Sequence, residues 1–251
     1  MALITCKKAA FCYEGTCVVS GLDFCVGFGD YLCVVGENGS GKSTLIKGIL
    51  GLKHPSDGRI DFGEGLTRQD IGYLPQQNSI QKSFPASVQE VVLLGRLAKH
   101  GLRPFYTRRD RQAASQVMEQ LGISGLARAG FGELSGGQQQ RVLLARALCA
   151  APDGLKVLIL DEPMNGLDPV IKQELYQLIQ HINTQQNIAI IMVTHDVQNA
   201  VRYASHLLLL DRRQEFYGTA HAFQHSTLGQ DLLRDSCGNH CAVCGLTVGG
   251  R

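Results

Sequence analysis

The feature that most constrains this chain is the octapeptide Gly36-Glu37-Asn38-Gly39-Ser40-Gly41-Lys42-Ser43, with Thr44 directly behind it. It follows the apolar run Leu32-Cys33-Val34-Val35 and leads into residues 43–50, which have helical spacing. The pattern G-x-x-x-x-G-K-[ST] carries chemical meaning in that setting, with a strand before it and a helix after it. Glycines let backbone N–H groups curl around phosphate oxygens with no side chain in the way. The following helix directs its positive dipole end and its free N–H groups at the same anion. Lys42 is placed to reach the β- and γ-phosphates of a nucleotide, and the Ser43 hydroxyl to ligate Mg²⁺. The alternative, a Gly-rich turn that happens to carry Lys-Ser, does not account for both flanking elements.

A second segment complements the first. Val157-Leu158-Ile159-Leu160 reads as a buried strand and ends in Asp161-Glu162. Alternation along a strand sends neighbouring carboxylates in different directions. Asp161 can hold the Mg²⁺ shell while Glu162 polarises an attacking water. Alone, an acidic pair after an apolar run is only a strand leaving the core. Beside a phosphate loop it is half of an ATP-hydrolysing site.

The rest of the chain narrows the class. At 251 residues there is length for one large core with an inserted subdomain. A net charge of +2 is too balanced to advertise nucleic-acid binding, and none is expected. No apolar run approaches the ~20 residues of a membrane-spanning helix. The start, Met1-Ala2-Leu3-Ile4-Thr5-Cys6-Lys7-Lys8, has no secretory pattern. The expectation is a soluble, intracellular protein. Nine cysteines are odd in number and scattered, which argues against a disulfide framework. Cys6, Cys12, Cys17, Cys25, Cys33 and Cys149 read as small buried hydrophobes.

Residues 3–33 read as short strands punctuated by turns at Glu14-Gly15, Ser20-Gly21, Gly27 and Gly29-Asp30. Strands are also expected at 59–62, 71–74, 157–160, 188–194, 207–210 and 215–217. Between about 85 and 150 the periodicity turns helical, with Val88, Val91 and Val92, then Ala114, Val117, Met118 and Leu121. Ile171, Leu175, Leu178, Ile179 and Ile182 mark another apolar helix face. The fold class is therefore α/β: a mixed sheet with flanking helices, an antiparallel β subdomain and an inserted helical subdomain.

Leu134-Ser135-Gly136-Gly137-Gln138 resembles the signature motif of the ATP-binding-cassette (ABC) ATPases, and with it the whole set falls into family order. The resemblance runs from about residue 3 to 217. It implies a P-loop NTPase core over 1–220, with the helical subdomain at about 85–150, and a separate tail at 221–251. It gives Tyr13 the adenine-stacking role, although a strand tyrosine is otherwise a core residue. Gln76, in Gly72-Tyr73-Leu74-Pro75-Gln76, resembles the glutamine that touches Mg²⁺ or water. Asn165-Gly166-Leu167-Asp168 resembles the D-loop, with Asn165 departing from the small residue usual there, and His195 resembles the switch histidine. Catalysis is accordingly expected from Glu162, His195, Lys42 and Gln76. Nucleotide contacts are expected from Tyr13, residues 36–44, Ser135, Gly136, Gly137, Gln138 and Asp168. Ser43, Gln76 and Asp161 are the expected Mg²⁺ ligands.

Ser135 can cap a helix whose free N–H groups make a second phosphate-binding surface. One chain cannot readily close both surfaces on one nucleotide, so the resemblance implies a head-to-tail homodimer with ATP at the interface. Phe84-Pro85-Ala86-Ser87-Val88, then Val91-Val92 and Leu94-Gly95-Arg96, are similar to the zinc and manganese importer branch. That branch implies an ATPase peripheral on the cytoplasmic face of the membrane. It would power import of zinc, or next manganese, through separate membrane permease subunits, with an extracytoplasmic metal-binding protein as indirect partner. An importer of an iron chelate, and a soluble ABC ATPase acting on nucleic acid or ribosomes, are the alternatives. The tail packs Cys237, His240, Cys241 and Cys244 into eight positions, a zinc-type donor set without the usual distant second pair. A Gly-flanked tail without metal is the equal alternative.

Overall fold

The computed structural model describes residues 2–63, 65–76, 85–97, 105–151 and 154–237. Its strands fall into a mixed sheet and a separate antiparallel sheet of three strands. By contacts the chain divides into two units. One comprises residues 5–25, 30–61 and 193–251, the other 1–4, 26–29 and 62–192, as far as these are described.

The first unit takes most of β1 (Ala2–Tyr13) and β2 (Thr16–Gly27), with β3 (Tyr31–Val35), α1 (Lys42–Ile49) and most of β4 (Asp57–Phe62). Its C-terminal part holds α6 (Val197–Tyr203), β8 (His206–Leu210), β9 (Gln214–Thr219), α7 (Ala220–His225) and α8 (Thr227–Cys237). β3 pairs parallel with β8, with Val35 opposite Leu209, and β8 pairs antiparallel with β9. Every residue of β3 is buried, as a strand covered on both faces requires.

Of the turn signals in the first 33 residues, Gly29-Asp30 lies in the turn between β2 and β3 as expected, and Glu14-Gly15 makes a hairpin turn, both residues having positive φ (48° and 83°), the backbone of a type I′ turn. Gly21, at φ 66°, is a left-handed residue inside β2. The result is two strands of 12 residues each. The same hairpin corrects the reading of the cysteines. Cys12 and Cys17 face each other with Cα atoms 3.8 Å apart and form a disulfide, half-buried and exposed respectively. Cys25 is also exposed, whereas Cys6, Cys33 and Cys149 are buried as expected.

The second unit contains β5 (Ile71–Leu74), β6 (Val157–Asp161) and α5 (Pro169–Gln186), and four of the six residues of β7 (Ala189–Thr194). β5 and β6 run parallel, with Tyr73 opposite Ile159. Within 85–151 the described elements are helical: α2 (Val88–Leu93), α3 (Arg108–Gln120) and α4 (Gly136–Leu148), with short 3₁₀ turns. Capping boxes start all three helices, Ser87 with Glu90, Thr107 with Asp110 and Ser135 with Gln138. Arg96, just after α2, bonds Asp110 of α3 at 2.9 Å and the Cys149 carbonyl beyond α4, all of them buried. That one guanidinium ties three helical segments together.

Candidate nucleotide site

The loop after β3 is shaped by backbone that only glycine tolerates. A Cβ on Gly36 (φ 152°) would lie 2.2 Å from the Leu210 carbonyl oxygen, and one on Gly41 (φ 103°) 2.6 Å from Val19 Cβ. Gly41 is the N-cap of α1 and offers no side chain to the first turn, so the N–H groups there are capped by no side chain. Lys42 is buried, and its Nζ donates to the Gly36 and Glu37 carbonyls, both at 2.7 Å. These bonds hold the ammonium in the concavity of the loop. Ser40 Oγ is buried with no hydrogen-bond partner. An orphaned buried hydroxyl costs about 1–3 kcal/mol, and an anion in the loop would relieve it. An uncapped helix start, a fixed ammonium and an unpaired hydroxyl form a phosphate cradle. Ser43 is exposed beside it, a hard oxygen donor of the kind Mg²⁺ takes.

The same unit supplies His195. The turn that carries it is fixed by its neighbours: Asp196 N donates to Thr194 Oγ1 at 3.0 Å, and Asp196 Oδ1 accepts from Asn199 N to cap α6. His195 is exposed and lines a cleft of about 630 Å³ with Gly36 and Glu37. The histidine and the start of the phosphate loop thus share one cavity. Tyr13, in the same unit, is exposed at the hairpin. One face of its ring is covered by Lys53 Nζ, 3.6 Å from the centroid, which also donates to the Cys12 carbonyl.

The second unit carries the carboxylates. Asp161 ends β6 and is buried. The Tyr73 hydroxyl donates to it across the β5–β6 pair. Burial, with the Asp161 charge and that bond, pushes the Tyr73 hydroxyl up to about 12. Tyr73 sits opposite Ile159, so its side chain and that of Asp161, two residues on, share one sheet face. In the sequence Tyr73 stands only as part of a strand, and the period-2 register with 157–161 is the signal that singles it out. Glu162 follows at φ 50°, a left-handed conformation that costs a non-glycine residue of order 1 kcal/mol. This turns the chain sharply, with Asn165 N closing back on the Glu162 carbonyl. Gln76 is exposed two residues past β5.

Ser135 is the N-cap of α4, its Oγ accepting from Gln138 N at 3.3 Å, while Ser135 N donates to Gln138 Oε1 at 3.0 Å. A Cβ on Gly137 would meet Ile171 Cγ2 at 2.7 Å. Glycine there lets the start of α4 pack directly on the start of α5. Asp168 caps α5, accepting from Val170 N and Ile171 N at 3.1 Å. In this structure its carboxylate holds a helix end, next to the signature helix. Phe84, His240, Cys241 and Cys244 lie outside the described residues, as does the side chain of Cys237.

Comparison with known proteins agrees with this geometry. The ABC transporter family model matches residues 19–165, which take in the phosphate loop, Ser135–Gln138, Asp161 and Glu162. The zinc uptake system ATP-binding protein ZurA of Listeria monocytogenes is 34% identical over 92% of this chain and 91% of its own length. The manganese transport system ATP-binding protein MntB of Bacillus subtilis is 36% identical over 82% of each chain. Among solved structures, an inward-facing ABC transporter described as of metal-chelate type superposes with a TM-score of 0.81. It is 30% identical and covers 93% of this chain and 89% of that one. A family match over more than half the chain, and relatives spanning most of it, place this protein in the ABC transporter family as an ATPase that works with ATP and Mg²⁺.

Proposed function

We propose that the chain is the ATP-hydrolysing subunit of an importer for a divalent metal ion, zinc first and manganese second. The observation that carries the metal is likeness over about nine-tenths of the chain to a zinc uptake ATP-binding protein, with a manganese relative close behind. Among the described residues no helix is long and apolar enough to cross a membrane. In this reading translocation therefore belongs to separate permease subunits, and the chain sits against them on the cytoplasmic face. The helical segment at 85–150 is the part that receives the permease, and an extracytoplasmic metal-binding protein delivers the ion.

The residues divide the work by chemistry. The loop at 36–44 takes the phosphates: Lys42 supplies fixed positive charge, Ser40 a hydroxyl without another partner, and α1 its N–H groups. Tyr13 offers its ring to adenine. Ser43, Gln76 and Asp161 would hold Mg²⁺, which when bound neutralises charge between the β- and γ-phosphates. Tyr73 donates its hydroxyl to the Asp161 carboxylate and aims it. Glu162 accepts a proton from the attacking water, and His195 orients that water and the γ-phosphate. Catalysis is then mostly positioning and electrostatics. Ser135, Gly136, Gly137 and Gln138 serve the ATP of a second copy, head-to-tail, and Asp168 keeps that surface in register through α5.

The same reading gives Cys237, His240, Cys241 and Cys244 a Zn²⁺-binding role in the tail. Unchanged zinc content after deletion of 237–251 would remove it. A second cargo, chelated iron, has support in the chelated iron transport system membrane protein YfeB of Yersinia pestis, 34% identical over 79% of this chain. Uptake of zinc, manganese and an iron chelate by cells lacking this chain decides between them. Loss of zinc or manganese uptake supports the proposal. Loss of the iron chelate alone overturns the cargo and leaves the ATPase intact.

A further inference from the structure

Helix α7 carries histidines at 221 and 225, a four-residue spacing that puts both imidazoles on one face. Both residues are exposed, and their ring centroids stand 4.5 Å apart. The short helix is held from both ends. Thr219 Oγ1 accepts from Ala222 N at 3.1 Å, Ser226 Oγ donates to the Phe223 carbonyl at 2.7 Å, and Gly229 N donates to Ser226 Oγ at 3.0 Å. Between the histidines, Phe223 points inward, fully buried, its ring edge-on to Phe216 with centroids 5.2 Å apart. A Cβ on Gly229 would lie 1.8 Å from the Phe223 carbonyl oxygen, so the corner between α7 and α8 is closely packed. Backbone motion contributes little freedom to this histidine pair. Bringing the two rings onto one ion needs only side-chain rotation.

We infer that His221 and His225 chelate a divalent transition-metal ion of the zinc class, through one nitrogen of each ring. Neutral imidazole is the commonest protein ligand for such ions. Its borderline softness selects zinc, copper or nickel over the magnesium that accompanies ATP. Among the described residues no group of three or more His, Cys, Asp or Glu side chains is placed to hold a metal. Among the described residues the ion therefore has two protein nitrogens, and the rest of its shell is open to water or to other donors. Neither histidine is among the nucleotide-site residues. That the ion is the transported cargo rests on the metal-import reading. Binding by the purified chain does not, so the two can fail separately.

The test is equilibrium dialysis of the full chain against Zn²⁺ in reducing buffer, for wild type, H221A, H225A, the double variant and H181A. His181 is a single exposed histidine on α5 and serves as control. Ions held elsewhere cancel in the difference. The expected result is one zinc fewer per chain in the double variant and in each single variant, with H181A unchanged. Both targets are exposed, so their circular dichroism should match wild type. Equal zinc content in all five proteins overturns the site. Loss in only one single variant overturns chelation by the pair.

Discussion

At the scale of single residues, the nucleotide site depends on side chains whose partners are missing or unusually firm. Ser40 is the sharpest case, because its hydroxyl is buried without a partner. Ser40→Ala should leave the thermal midpoint of the nucleotide-free protein unchanged or slightly raised. It should weaken ATP binding about three- to tenfold, the worth of one hydrogen bond of ~1 kcal/mol. Calorimetric titration with ATP and a melting curve separate the two effects. Tyr73 makes the opposite argument, since its bond to Asp161 is made before any ligand arrives. Tyr73→Phe should raise the Mg²⁺ concentration for half-maximal hydrolysis on the order of tenfold, while nucleotide binding without Mg²⁺ stays as it was. A change in nucleotide binding alone would place Tyr73 in the wrong role.

At the scale of elements, what was legible in the sequence is what local chemistry encodes. The phosphate loop, the Ser135 cap and the Asp161-Glu162 strand end each need a short, contiguous set of residue types, and each appears where expected. What escaped depends on register across strands. Tyr73 and Asp161 meet only because β5 and β6 pair as they do. Cys12 and Cys17 meet because a two-residue turn at Glu14-Gly15 sets them opposite one another, a signal present in the sequence but outweighed by the scatter of the nine cysteines. Reduction of that disulfide should lower stability by up to about 2 kcal/mol. In urea unfolding, a reductant should shift the wild-type midpoint but not that of the Cys12→Ser, Cys17→Ser double variant.

The helical segment depends on the Arg96–Asp110 pair. Burial works against the Asp110 charge, but bonds from Thr107 and the Arg96 guanidinium outweigh it and hold the carboxyl well below its usual range. A lowered carboxyl contributes stability above its unfolded value, near pH 4, and loses it as pH falls towards the folded value. Arg96→Ala strands a buried carboxylate and should cost ~3–5 kcal/mol. The variant should also lose part of the wild-type protein's acid sensitivity below pH 4. An Arg96→Ala protein with wild-type stability at neutral pH would show that the pair does not hold these helices together.

At the scale of the whole molecule, the claim is that ATP hydrolysis by this chain drives a metal ion through other subunits. Glu162 is the residue on which import most directly depends, since it is the proposed acceptor of the water's proton. Glutamine keeps the shape and removes the proton acceptor. The decisive measurement is uptake of radioactive zinc by cells deleted for this chain and complemented with wild type or with Glu162→Gln at equal expression. Wild type should restore uptake, and the variant should bind ATP yet restore almost none. Equal uptake with both would contradict the account, because import would then not depend on hydrolysis at Glu162.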